Sequence, residues 1–174
     1  MEKKEVLIVN LNDKPIKKVE KLFAHEKPLL HRAFSVFIIN ENKMLIQKRA
    51  KTKYHSPSLW ANACCSHPLT NDILKEASLR LQEELGIIQP ISLEELFSFV
   101  YFANLGNVCE YELDHVLLGN YNGKIKINLD EAEKFEWIEI SKLEKQLEKN
   151  PRKFAPWFLI CAPKVINIIK NRQK

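Results

Sequence analysis

From Asn71 to Leu85 the apolar residues Ile73, Leu74, Ala77, Leu81 and Leu85 recur at helical spacing, in a run with its own start and stop signals. Asn71 or Asp72 can cap the first turn, and Gly86 can end the helix in the left-handed conformation that a C-terminus favours. The segments around this helix read as strands. Glu5 to Asn10 and Pro15 to Glu20 flank a turn-like Asn-Asp-Lys-Pro and predict a hairpin. Phe34 to Ile39 and Met44 to Lys48, separated by Asn40 to Lys43, predict a second one. Further strands are expected around Leu96 to Phe102, Cys109 to Gly119 and Phe135 to Ile140. Ser141 can cap a helix running to Glu148, and a last helix is expected from Pro156 through Ile169. This irregular alternation predicts an α+β fold, a mixed β-sheet packed between α-helices, rather than a doubly wound parallel sheet.

The chain has 174 residues and no linker, repeat or low-complexity segment, which predicts a single domain over residues 1–174. Its 45% apolar and 28% charged content is that of a soluble globular protein. No apolar run approaches the roughly 20 residues that span a bilayer, so no membrane partner is expected. The stretch from Met1 to Asp13 starts charged and holds a short apolar run, unlike a signal peptide. The expected setting is therefore the cytoplasm, where Cys64, Cys65, Cys109 and Cys161 stay reduced. The net charge of +5 gathers at Lys14 to Lys21, at Lys48 to Lys53 and in the tail after Lys164. Most of it reads as solvated surface. The stretch QKRAKTKYHSP lacks the aromatic interleaving of a nucleic-acid site, so no nucleic acid is expected. A compact basic patch also fits an anionic small molecule.

Two short motifs carry the chemistry. Asn62 to Pro68 reads NACCSHP and sets Cys65 two residues from His67; Glu110 to Asp114 reads EYELD and sets Glu110 two residues from Glu112. On a strand, residues two apart share a face. A histidine taken singly is more often a surface or hydrogen-bonded residue than a ligand, and His55 and His115 are read that way. His25, His31 and His67 together with Glu110 and Glu112 make an octahedral donor set. Imidazole ligands favour manganese, iron or zinc, whereas an all-oxygen set favours magnesium. Glu110, Glu112 and Asp114 on one face repel each other and require either a solvated edge or a bound cation. The combination points to a metal-organised acid/base enzyme.

The segments LLHRAFSVFIIN, QKRAKTK, WANACCSHPLT, EELGI, EYELD and FAPWF resemble, in order and spacing, type 1 isopentenyl-diphosphate isomerase, a family of the Nudix superfold. The resemblance runs from about Val6 to Trp157. It implies a Nudix-type fold and the interconversion of isopentenyl and dimethylallyl diphosphate in isoprenoid biosynthesis, in a monomer or weak homodimer. It further implies one divalent metal (Mn, Zn or Mg) on His25, His31, His67, Glu110 and Glu112. Cys65 and Glu112 match the catalytic cysteine and glutamate, and Tyr101 a tyrosine assisting the acid. Lys21, Arg49, Lys53 and Ser66 match residues at the diphosphate. Glu84 matches a carboxylate associated with a second Mg carried by that diphosphate, and Trp157 an aromatic residue near the isoprenoid carbons. Trp157 can stabilise a cation through its π face or simply pack in the core. Three features depart from the family pattern or stand beside it. Ser58 occupies a position where many relatives have Gly, the His25 to His31 interval varies among relatives, and Cys64 is a second thiol expected to point away.

The alternative within the superfold is a diphosphate hydrolase. Counting the hydrolase signature back from Glu83, Glu84 and Gly86 puts Cys65 at its leading Gly, Asn71 at its first Glu, and Leu79 and Arg80 at its Arg-Glu. Only the terminal EELGI survives. A hydrolase needs several carboxylates there to hold metals and activate water. Isomerisation instead adds a proton to one carbon and removes one from another, through a cation that water must not reach.

Overall fold

The computed structural model describes residues 4–172. The charged start Met1 to Lys3 and the tail residues Gln173 and Lys174, included in the expectations above, lie outside the described residues. Strands β1 (Glu5–Val9) and β2 (Pro15–Glu20) form the first hairpin. Its turn is tied by the Asn10 side-chain oxygen, which accepts from the amides of Asn12 and Lys14. A short helix, α1 (Lys21–Glu26), follows directly. Strands β3 (His31–Asn40) and β4 (Lys43–Arg49) form the second hairpin. After β5 (Trp60–Ala61) and β6 (Cys64–Ser66) comes helix α2 (Ile73–Leu85). Then β7 (Leu93–Asn104) and β8 (Cys109–Asn120) pair antiparallel, and β9 (Ala132–Glu139) runs into α3 (Ile140–Lys149). Helix α4 (Pro156–Arg172) closes the described chain.

β3 is the hub of one mixed sheet. One of its edges pairs parallel with β8, from His31 opposite Glu112 to Ile39 opposite Asn120. Three strands share its other edge: β1 at His31, β6 from Phe34 to Val36, and β4 from Ile38 to Asn40. Beyond Leu45, β4 leaves β3 and continues against β9 and β5. The splay between β3 and β4 opens a crevice in the sheet, and the site occupies it.

Side-chain alternation sorts the core onto two faces. Phe37, Val116 and Leu118 pack under α3 and α4 against Leu143, Phe158 and Ile166. Phe34, Val36, Ile38 and Leu117 pack under α2 against Ala77, Leu81 and Leu85. A fully buried leucine such as Leu81 stabilises the fold by about 1.5–3 kcal/mol relative to an exposed one. The expected α+β architecture is therefore present, a mixed sheet between helices.

Three expectations need correction. Leu74 is 42% exposed, so the buried stripe of α2 runs through Ala77, Leu81 and Leu85 without it. Ser141 does not cap α3: the helix begins at Ile140 with Glu139 in the cap position, and no side-chain bond is made. Elements α1 and β5 were not anticipated, and β6 enters the sequence reading only through the extended reading of Asn62 to Pro68. They are too short to show a period, and tertiary pairing with β1, β4 and β3 holds them.

Candidate active site and metal centre

The side chains of His25 on α1, His31 on β3, His67 just after β6 and Glu112 on β8 converge, with one ligand atom from each within 4.8 Å of the others. The imidazole ring centroids of His25, His31 and His67 lie 4.7–5.5 Å apart. Backbone carbonyls set two of the tautomers. His25 Nδ1 donates to Lys21 O at 2.7 Å, and His31 Nδ1 donates to Leu29 O at 2.8 Å. Each ring then turns Nε2 inward; both Nε2 atoms are buried without a hydrogen bond, that of His31 standing 3.5 Å from Glu112 Oε1. Such orphaned acceptors cost free energy unless something binds them. A divalent cation fits this donor set, and the carbonyls that accept from the two Nδ1–H groups orient the rings as metal-bound imidazoles generally are.

Burial keeps the His25 and His67 imidazoles neutral, as ligation requires. It lowers His25 to about 4, helped by the neighbouring His31, and holds His67 well below its ordinary value. Glu112 is the ionised partner. Burial works against its charge, but the His31 and His67 imidazoles outweigh that and hold it well below the usual carboxylate range. His67 Nε2 lies 2.9 Å from Glu112 Oε1, and Tyr101 OH donates to Glu112 Oε2 at 2.6 Å.

Glu110 lies outside the four-residue group. Its Oε2 is 3.1 Å from Tyr101 OH and its Oε1 is 3.1 Å from His55 Nδ1. Burial and the Glu112 charge push its carboxyl well above the ordinary range. Asp114 is pushed up in the same way and accepts from Ser35 Oγ at 2.8 Å. The three β8 carboxyls are only 1–6% exposed, so the solvated edge considered from the sequence does not exist. One charge among three buried carboxyls is the state this environment permits without a cation.

Cys65 faces the cavity from β6, and burial raises its thiol to about 12. Its neighbour Cys64 is fully buried on the other face of the sheet, in the core under α2, as alternation predicts. All four cysteines are free. Cys65 and Glu112 thus reach one cavity from strands on opposite edges of β3, at registers four residues apart, Ser35 and His31.

That cavity has a volume of about 590 Å³ and a cationic end. Lys21, Arg49, Lys53 and Ser66 all line it, together with Glu84 and Trp157. The Arg49 guanidinium lies 5.2 Å over the Trp157 ring, and Lys53 pairs with Glu131. Glu84, on α2, is buried between Gln47 at 3.0 Å and Arg80 at 2.6 Å. Ser58 keeps a left-handed φ of 57° despite its side chain, and its hydroxyl donates to Glu133 at 2.5 Å. Trp157 is buried, and its indole donates to Asn62 at 3.0 Å.

Two residues were misjudged or overlooked. His55, read from sequence as a surface or hydrogen-bonded residue, is 8% exposed in the site, 5.9 Å from the His25 ring and 6.0 Å from Trp157. Tyr54 stacks edge-on against His55 at 4.5 Å and lies under Lys21. Their place in the chain, immediately after Lys53 in the basic segment, was the available signal. His115 does follow expectation, held between Glu95 and Asp13 away from the centre.

Comparison with known proteins decides the family. An isopentenyl-diphosphate Delta-isomerase 2 of Photorhabdus laumondii is 41% identical, over 93% of this chain and 90% of its own length. The chain belongs to the isopentenyl-diphosphate Delta-isomerase family. The isomerase of Serratia proteamaculans is 40% identical over 88% of this chain and 87% of its own. Isomerase 2 of Aromatoleum aromaticum is 37% identical over 94% and 87%. No family model matches the chain. Solved structures show the fold: a Deinococcus radiodurans protein superimposes with a TM-score of 0.75 at 16% identity, covering 92% of this chain and 98% of that one. A MutT Nudix hydrolase of Burkholderia pseudomallei gives 0.60 at 16% identity, covering 78% and 98%. The isomerase family member described here thus has a Nudix fold.

Proposed function

We propose that this protein interconverts isopentenyl and dimethylallyl diphosphate, with Cys65 and Glu112 exchanging protons with the substrate from two sides. The observation that carries the reading is one cavity that joins a protonated thiol, a Tyr101-bound carboxylate and a cationic end. One of the two groups protonates the alkene terminus and the other removes a proton from the neighbouring methylene. The pair begins with one proton between them, on sulfur, and the reverse reaction uses the opposite assignment. Tyr101 steadies the Glu112 oxygen that faces it. Trp157 presents its ring to the reacting carbons, where a desolvated cation gains roughly 2 kcal/mol from a π face.

A divalent ion (Mn, Zn or Mg) on His25, His31, His67 and Glu112, with Glu110 beside them, would fix the Glu112 carboxyl and set its acidity. Lys21, Arg49, Lys53 and Ser66 would bind the diphosphate, and Glu84 would help hold a Mg carried by it. Holding that charged end remote from the chemistry positions the alkene between acid and base. Hydrolysis gains no support from α2: Glu83 is mostly exposed beside Arg80, and Glu76 is committed to the amides of Leu69 and Thr70. Incubation with isopentenyl diphosphate and a divalent metal tests the reading. Formation of the dimethylallyl product is expected; phosphate release without it would make the protein a hydrolase.

A further inference from the structure

We infer that Asn62 is a positioning residue that aims both the Cys65 thiol and the Trp157 indole through a single oxygen. Asn62 is fully buried in the loop between β5 and β6. Its Oδ1 accepts from Cys65 Sγ at 3.2 Å and from Trp157 Nε1 at 3.0 Å. Its Nδ2 donates to Val36 O at 3.2 Å and to Cys64 O at 2.7 Å. The amide orientation follows from these partners: an indole N–H can only donate, and two carbonyls can only accept. The side chain is therefore locked at its nitrogen by the backbone of β3 and β6, and it offers a fixed oxygen to two groups that line the cavity.

The second neighbour of the thiol reinforces this. Ser35 Oγ lies 3.6 Å from Cys65 Sγ and donates its proton to Asp114 at 2.8 Å. With that proton committed, the hydroxyl faces sulfur with lone pairs, as Asn62 does. Two acceptors thus face the sulfur and fix its S–H rotor between them. A thiol rotor with no such acceptor samples three staggered positions. Fixing one of them, with the ring that faces the reacting carbons tied to the same oxygen, sets the distance between the proton-transfer group and the aromatic wall. Misplacement of a reacting group by about 1 Å costs roughly 10²-fold.

The inference rests on the isomerase reading for its kinetic consequences but not for its geometry, so the test has two arms. In the kinetic arm, Asn62→Ala is expected to lower kcat by roughly 10- to 100-fold while KM stays within about threefold. Asn62→Asp keeps the accepting oxygen and, as the protonated acid that burial between two carbonyls favours, one donor for the backbone clamp, so it should recover a large part of that loss. A purely structural asparagine predicts the opposite, with Asp as harmful as Ala because neither keeps both Nδ2 donors. Trp157→Phe keeps the ring and frees the oxygen. The Asn62→Ala, Trp157→Phe pair should therefore be less than additive. The second arm needs no turnover: the alkylation rate of Cys65 by iodoacetamide at one fixed pH, read by mass spectrometry. It should change at least threefold in Asn62→Ala and stay near wild type in Asn62→Asp. Wild-type kcat in Asn62→Ala, additive effects in the pair, or an unchanged alkylation rate would each overturn the inference. An inactive wild type whose alkylation rate still responds to Asn62 would instead remove the isomerase reading and leave the positioning role intact.

Discussion

At Cys65 burial holds the proton on sulfur, whereas at Glu112 the two neighbouring imidazoles hold the proton off the carboxyl. Opposite environments within one cavity leave a protonated thiol facing an ionised carboxylate, the pairing that the proposed reaction needs. Cys65→Ser and Glu112→Gln should each remove turnover while circular dichroism and melting remain near wild type. Cys64→Ser should do the reverse. It puts a hydroxyl among Phe34, Val36 and Leu81 and costs about 1–3 kcal/mol of stability, with kcat little changed. A Cys64→Ser enzyme that folds well and does not turn over would mean the wrong thiol has been assigned. Lys21 supplies a pH-dependent test. Burial, then the nearby Arg49, Lys4 and Lys53 against the opposing pull of Glu112, lower it from 10.5 to about 8. Between those values the unfolded chain binds a proton that the native chain does not, so this group's contribution to stability rises with pH from about 8 to 10.5. Its attraction for a diphosphate falls over the same range. Calorimetric titration with an unreactive diphosphate analogue should show affinity dropping above about pH 8, and Lys21→Arg should flatten that drop because guanidinium stays charged.

Helix α2 shows what an element needs to be legible. Its N-cap Asp72 accepts from Lys75 N at 3.2 Å, and Gly86 ends it at φ 64°, both among the signals read from sequence. Gly86 is required twice over. A Cβ there would meet Lys126 Cβ at 2.9 Å and Lys126 O at 3.1 Å, on a backbone that side chains adopt at a cost. Gly86→Ala should therefore lower the unfolding free energy by about 1–3 kcal/mol, measured by denaturant titration. The two hairpins, β7, β8, β9 and the last helix were also legible, because each is long enough to show its period or is bounded by turn residues. α1 and β5 were not, and β6 only through the extended reading of its motif, since no short segment shows a period. Yet they carry His25, Asn62's loop and Cys65. α3 was placed, but its start was not, because Ile140 joins the helix by burial rather than by a Ser141 cap.

On the scale of the whole molecule, the site is a property of the splay between β3 and β4, which no local pattern encodes. Residue types were enough to nominate His31, His67, Glu110, Glu112 and Cys65. They could not separate Glu110 from the four converging ligands, or bring in His55 from the basic segment, because both facts depend on which strand lies beside which. The candidate metal centre draws on α1, β3, β8 and the segment after β6, so an ion bound there would tie four parts of the chain together. Binding to the native state alone stabilises by about 2.7 kcal/mol at a hundredfold excess over Kd, which for a domain of this size raises the melting temperature by roughly 5–10 °C. That rise should be lost in His67→Ala. It should also have a characteristic pH dependence. His25 is lowered to about 4 by burial and His67 lies well below 6.5, so proton competition at these two ligands sets in far below the ordinary imidazole range. In the metal-free protein the same shift acts on stability. Between about pH 6.5 and 4 the unfolded His25 binds a proton that the native one refuses, so stability present above pH 6.5 is lost as pH falls through that window. Melting curves from pH 7 to 4.5, with Mn, Zn or Mg and with chelator, check both statements. A metal-induced rise that survives in His67→Ala would place the ion elsewhere.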